Sequence, residues 1–160
     1  MIQPKKYNTI NKQPKSDYEQ KLIDLRRVAR VVAGGRRFSF RATMVIGNQK
    51  GEVGLGIGKG ADTALAIEKA VRAAKKRLIH IQLTPNKSVF NTVSSKFSSA
   101  NVLIKPISGG RGLRAGGSVR TVLYLAGVQN ASAKIISPSK NKINNAQAAI
   151  EALKKLANSH

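Results

Sequence analysis

The apolar positions change period along the chain, and each change marks an element. From Phe38, the residues Phe38, Phe40, Ala42, Met44 and Ile46 alternate with Ser39, Arg41, Thr43 and Val45. A period of two is the signature of a half-buried strand. Gly47-Asn48-Gln49-Lys50-Gly51 then turns the chain, with glycines available where φ has to be positive. Val53, Leu55 and Ile57 alternate with Gly54, Gly56 and Gly58, so the next strand has one apolar face and one of bare backbone. Glycine weakens a strand interior, and three in alternation mean that something approaches closely. A packed helix and a phosphate backbone are the two candidates. Lys21 to Val32 mixes apolar and basic residues; it reads as a strand over about 24–32, with helix as the alternative for its first half. Ala33-Gly34-Gly35 turns it into the Phe38 strand. The three strands make one antiparallel sheet.

Past Gly60 the period becomes helical. Ile67, Val71, Ala74 and Leu78 recur at spacings of three and four, with Asp62 or Thr63 as the N-cap. Lys69, Arg72, Lys75 and Lys76 crowd the other side. Residues 83–87 form a linker. Beyond it the pattern predicts a strand near 88–93 and a second over Val102 to Ile107. A helix capped by Ser118 carries Val119, Val122, Leu123 and Ala126 and stops at Gly127. A strand over Ala133 to Ile136 and a last helix from Asn144 or Asn145 complete a ββαβα order. Three units follow: a flexible basic tail over 1–18, a first domain over 19–82 and a second over 88–158.

Charge adds the partner class. There are 29 Lys+Arg against 7 Asp+Glu, a net charge of +22. Such a chain repels itself unless a polyanion neutralises it, and nucleic acid is the first candidate. No apolar run approaches the ~20 residues of a membrane span, and the polar N-terminus lacks a signal peptide's apolar middle. These points favour a cytoplasmic protein with no membrane partner. No carboxylate stands between Glu68 and Glu151. There is no Cys, and His80 and His160 are isolated, so no metal cluster, cofactor or nucleophile–base pair is legible.

Candidate contacts concentrate in three places. Arg26, Arg27, Arg30, Arg36, Arg37 and Arg41 lie on the first hairpin around Gly34 and Gly35. Phe38 and Phe40 among them mimic the basic–aromatic pattern of single-strand binders, but they share a face with Met44 and Ile46, which favours core. Lys50 and Lys59 stand at the ends of the glycine-bearing strand. Gly54 to Gly60 is no nucleotide loop: Val53 occupies the position of the first Walker glycine and Gly60 follows the lysine. Lys59 beside the next helix start suits an isolated phosphate, with a plain structural turn as the alternative. The third place is Gly109 to Ser118, where Arg111 and Arg114 sit among glycines ahead of a helix carrying Arg120. Phosphate contact is favoured there over plain helix entry. Small-molecule kinases use a similar loop but need carboxylates for Mg²⁺, and the acid-free stretch argues against an enzyme or a small-molecule substrate. A free-standing double-stranded-RNA regulator is a further alternative; it would keep its function without residues 88–160.

Gly34-Gly35-Arg36-Arg37-Phe38-Ser39-Phe40, Val53 to Gly60 and Ala66-Ile67-Glu68-Lys69-Ala70 resemble the ribosomal protein S-five (S5) family of the small subunit. Leu103-Ile104-Lys105-Pro106, Ala115-Gly116-Gly117-Ser118-Val119-Arg120 and Leu125-Ala126-Gly127-Val128 agree, in the right order. The resemblance covers about residues 20–157. It implies an α+β protein: an N-terminal domain like double-stranded-RNA-binding domains without their first helix, then an α/β sandwich shared with some small-molecule kinases. It further implies binding to 16S rRNA between head and body, contacts with proteins S-four and S-eight, and an effect on decoding accuracy. By resemblance, the Arg30 to Gly35 turn reaches toward the head, and Gly109 to Gly117 faces neighbouring protein. Arg111 and Arg114 depart from the family, which usually has uncharged residues there.

Overall fold

The computed structural model describes residues 17–108 and 110–157. The expected tail, apart from Asp17 and Tyr18, lies outside the described residues, as does Gly109. Among the described residues, eight strands and three helices follow in the order β1 (Glu19–Val32), β2 (Gly35–Gly47), β3 (Glu52–Gly60), α1 (Thr63–Lys75), β4 (Ile79–His80), β5 (Val93–Phe97), β6 (Ala100–Pro106), β7 (Leu113–Arg114), α2 (Gly117–Ala126), β8 (Ala131–Ile135) and α3 (Lys142–Ala157). The first sheet is antiparallel in the order β1-β2-β3-β4, so the three expected strands gain a two-residue fourth. The second runs β5-β6-β8-β7, with only the β7–β8 pair parallel.

The glycine face of β3 receives α1. A Cβ on Gly56 or Gly58 would collide with the Ala70 or Ala66 carbonyl, and one on Gly54 would lie 2.6 Å from the Ala74 oxygen. The buried face of α1 is accordingly Ala66, Ala70 and Ala74, while Ile67 and Val71 flank it half-buried. This corrects the Ile67–Val71–Ala74–Leu78 face: backbone-to-backbone approach selects the smallest side chain, not the most apolar one. Asp62 caps the helix, its carboxylate accepting from the Thr63 amide at 2.6 Å.

The other face of the same sheet is also covered. Val45, Val53 and Leu55 belong to one core with Val122, Leu123 and Leu125 of α2 and Ile150 and Leu153 of α3. Helices α2 and α3 in turn pack on the second sheet. Four layers therefore stack: α1, first sheet, α2 with α3, second sheet. The β2–β3 turn is pinned to the end of α2, with the Gln49 and Gly51 amides donating to the Leu125 and Ala126 carbonyls at 3.0 Å. Positive φ in that turn falls on Gln49 and Gly51, not on Gly47.

Several sequence-based boundaries move. The strand expected at 88–93 lies at 93–97, because Ser88 and Val89 are buried in a turn bonded to the Gln129–Asn130 segment. Helix α2 starts from Gly116, and Ser118 is buried within it, so it is not the cap. Helix α3 starts at Lys142, since the Asn141 carboxamide oxygen accepts from the amides of Ile143 at 3.1 Å and Asn144 at 3.5 Å. Strand β1 begins five residues before Asp24; a register shift between Leu22 and Asp24 breaks its alternation there.

Candidate nucleic-acid interface

Strand β3 stops where Gly60 meets Phe40, and β1 and β2 continue without it. Residues 28–32 and 35–39 form a two-stranded arm, closed by Ala33-Gly34 with Val32 opposite Gly35. Five residues of antiparallel strand project about 17 Å at ~3.4 Å each. Such a ribbon is marginal in water without a covering layer. Val31 at its tip is 76% exposed. Phe38 is 50% exposed, which corrects its assignment to the core: it shares the face of Phe40 and Met44 but lies beyond the sheet that α1 covers. The Arg27 guanidinium stacks on its ring at 3.6 Å from the centroid. Phe40 is half-buried against the α1 core, as expected.

The register sorts the arginines onto two faces. Arg26 stands opposite Arg41, and Arg30 opposite Arg37. Lys59 stands opposite Arg41 from the other side. These five cations alternate onto one face, while Arg27 and Arg36 take the other beside Phe38 and Val31. Like charges directly opposite each other destabilise a sheet. From Leu25 to Gly51 the chain carries seven cations and no acid. Asp24 relieves the stripe only at its foot, where its carboxylate meets the Arg26 Nε at 2.9 Å. Gly34 and Gly35 form the bare tip, and Gly35 adopts φ 135°.

The remaining expected residues lie elsewhere. Lys50 is exposed in the β2–β3 turn, at the opposite end of the sheet from the arm. Arg111 is exposed in the loop before β7, between Gly110 and Gly112, both at positive φ. The Asn130 side chain holds this loop, accepting from the Gly112 amide at 3.3 Å and donating to the Asn86 carbonyl at 2.8 Å. Arg114 lies on β7, and Arg120 on α2 beside Lys21 and Tyr124. The structure thus brings Arg26, Arg30, Arg37, Arg41 and Lys59 together, and keeps Lys50, Arg111, Arg114 and Arg120 apart from them.

One cation near this stripe was not anticipated. Lys140, just before α3, shares a cleft of about 510 Å³ with Arg26, Arg41 and Ile57. Its signal was present in Lys140-Asn141-Lys142, two cations at a helix start. Nothing in the sequence placed that start opposite β2.

The ribosomal protein S5 N-terminal domain matches residues 18–82, and the ribosomal protein S5 C-terminal domain matches residues 95–160. The chain belongs to the ribosomal protein S5 family. The small ribosomal subunit protein uS5 of Prochlorococcus marinus (strain MIT 9215) is 47% identical over 141 residues, 88% of this chain and 68% of that protein. The protein uS5c of Rhodomonas salina is 45% identical over 145 residues, 91% of this chain and 86% of its own. That of Cyanidioschyzon merolae (strain NIES-3377 / 10D) is 49% identical over 137 residues, 86% of this chain and 89% of its own. As an S5 family member the chain is a structural constituent of the small ribosomal subunit, associated with the ribosome and its RNA, and not an enzyme. The glycine loop before α2 therefore needs no phosphoryl-transfer chemistry to account for it.

Proposed function

We infer that the chain pins segments of 16S rRNA by neutralising their phosphates, and so stabilises the head–body arrangement and supports decoding accuracy. The observation that carries this reading is the bare arm with its paired arginines. A projecting ribbon with Arg30 directly opposite Arg37, continued at its foot by Arg26 opposite Arg41, is stabilised by an anion laid along it. Contacts are proposed for Arg26, Arg27, Arg30, Gly34, Gly35, Arg36, Arg37, Arg41 and Lys59, with Lys50, Arg111, Arg114 and Arg120 as outlying ones. Phosphate contacts set position, and the sequence information comes from the shape of the RNA. Proteins S-four and S-eight are the proposed protein neighbours, and a cytoplasmic ribosome the proposed location. Residues 19–82 and 88–158 are proposed as the two binding units, with 1–18 as a basic tail.

Each phosphate contact releases condensed counterions, so affinity for 16S rRNA falls steeply with salt. Six or more contacts give roughly a thousandfold loss or more between ~50 and ~200 mM. Filter binding across that range tests it, and a flat profile refutes the electrostatic mechanism. Arg36→Ala weakens binding to all RNA sequences alike; a loss confined to one sequence means base readout instead. Co-sedimentation with the small subunit through moderate salt is the accompanying cellular measurement.

A further inference from the structure

The arm accounts for the tip of the basic stripe. Its foot lies between the two halves of the molecule, and there the chemistry is different. Arg26, Arg41 and Lys59 form one cross-strand rung over β1, β2 and β3. Directly paired side chains in such a rung stand ~5 Å apart at Cβ. Lys140, Asn141 and Asn144 at the start of α3 close the cleft over this rung from the second half of the chain. The Ile143 and Asn144 amides are taken by the Asn141 side chain, so α3, a helix of 16 residues, adds only the positive end of its dipole.

One buried polar atom of a cleft residue lacks a partner, and two more lie on the elements that line the cleft. Arg41 Nε is buried without a hydrogen bond, and so is Oγ1 of Thr43, two residues along the same face of β2 and 1% exposed. The third such atom among the described residues is Oδ1 of Asn145, in the first turns of α3. A desolvated guanidinium N–H without an acceptor is costly. The one carboxylate nearby, Asp24, is engaged by Arg26. The cleft thus holds two cations of the sheet face, Arg26 and Arg41, a third from the facing helix start, Lys140, and an unmet donor, with Lys59 next to Arg41 on the neighbouring strand.

We propose that this cleft is an inter-domain clasp for a single RNA backbone phosphate, gripped by Arg41 from the first sheet and Lys140 from the second half of the chain. It rests on rRNA being the partner, and it adds that the two halves hold one phosphate jointly. The ligand is a phosphodiester: the chemistry is a compact oxyanion accepting from guanidinium and ammonium donors. RNA bound there resists separation of the halves.

The test uses the full chain, a 16S rRNA transcript and the variants Arg41→Gln, Lys140→Gln and their double. Each single variant lowers the log–log salt slope of binding by about one. The double variant also lowers it by about one, because both cations answer to the same phosphate. A double variant that loses about two has two separate contacts, which overturns the clasp. Unchanged slopes in both singles overturn it too. Loss of all RNA binding by the wild-type chain would instead defeat the functional reading above. A thermal-melt arm with inorganic phosphate, at ionic strength matched with chloride, needs no RNA. Phosphate raises the wild-type Tm and leaves that of Arg41→Gln unmoved; equal shifts in both reject the site. Without anion, Arg41→Gln melts at or above the wild type, since it removes repulsion within the rung; a lower melt means Arg41 is structural. Free phosphate protecting the cleft while the RNA slopes stay unchanged assigns it to a small anion and overturns the RNA clasp.

Discussion

Gly56 lies under the Ala70 carbonyl and Gly58 under that of Ala66, with no side chain between strand and helix. Gly56→Ala places a methyl against backbone, which cannot rotate away. The expected cost is about 3 kcal/mol or more, the upper end of overpacking, read as a lowered denaturation midpoint. Gly34→Ala meets nothing within 4 Å, and its φ is not positive. It should change stability by no more than about 0.5 kcal/mol, as exposed sites do. The alternation in β3 already marked the glycine ledge. Its occupant was not legible, because helix and RNA phosphate ask the same thing of a glycine. Phe38 shows the opposite limit. Its period-two position is identical in kind to that of Phe40, yet only Phe40 reaches the α1 core. Alternation tells which face a residue takes, not whether anything lies over that face.

At the scale of elements, long periodic segments were readable and short ones were not. Strands β4 and β7 have two residues each and no period to detect. Strand β1 is 14 residues long, but its first third is hidden by the shift at Leu22/Asp24. The arm it forms with β2 is separable from the core. Replacing Ala29–Phe38 by Asn-Gly closes the Val28–Ser39 pair with a two-residue turn. The product lacks Arg30, Arg36 and Arg37. It should melt within a few degrees of the parent, while its rRNA salt slope falls by up to about three. A large drop in Tm would mean that the arm is structural; an unchanged slope would remove it from the interface.

For the whole molecule, the layering makes the halves interdependent. Val45, Val53 and Leu55 are at most 5% exposed, and α2 and α3 cover them. Removing residues 88–157 strips that cover from the middle of the first sheet. The fragment should show no cooperative thermal transition by circular dichroism, whereas the full chain shows one; a sharp transition in the fragment would contradict the layered account. This dependence also weighs against a free-standing regulator built from the first half alone. The order of elements was readable from the chain, but the stacking was not. Arg41 and Lys140 are far apart in sequence, and no local pattern brings α3 over the sheet. The clasp is therefore a property of the assembled layers.

The α1–β3 seam carries one more consequence. Two residues of strand advance ~6.8 Å and four residues of helix ~6.0 Å, so glycines every second position nearly match alanines every fourth. Such a seam is close to a vernier: sliding α1 by one turn replaces Ala with Ala over most of its length. Only the ends resist. Gly60 sits by Asp62 and Ala66 at one end, and Gly54 by Ala74 and Leu78 at the other. A one-turn slip in either direction would drive Asp62 or Leu78 onto a glycine that has no room for it. The alanine ladder supplies closeness, and its two flanking residues supply the stop that keeps the helix in register.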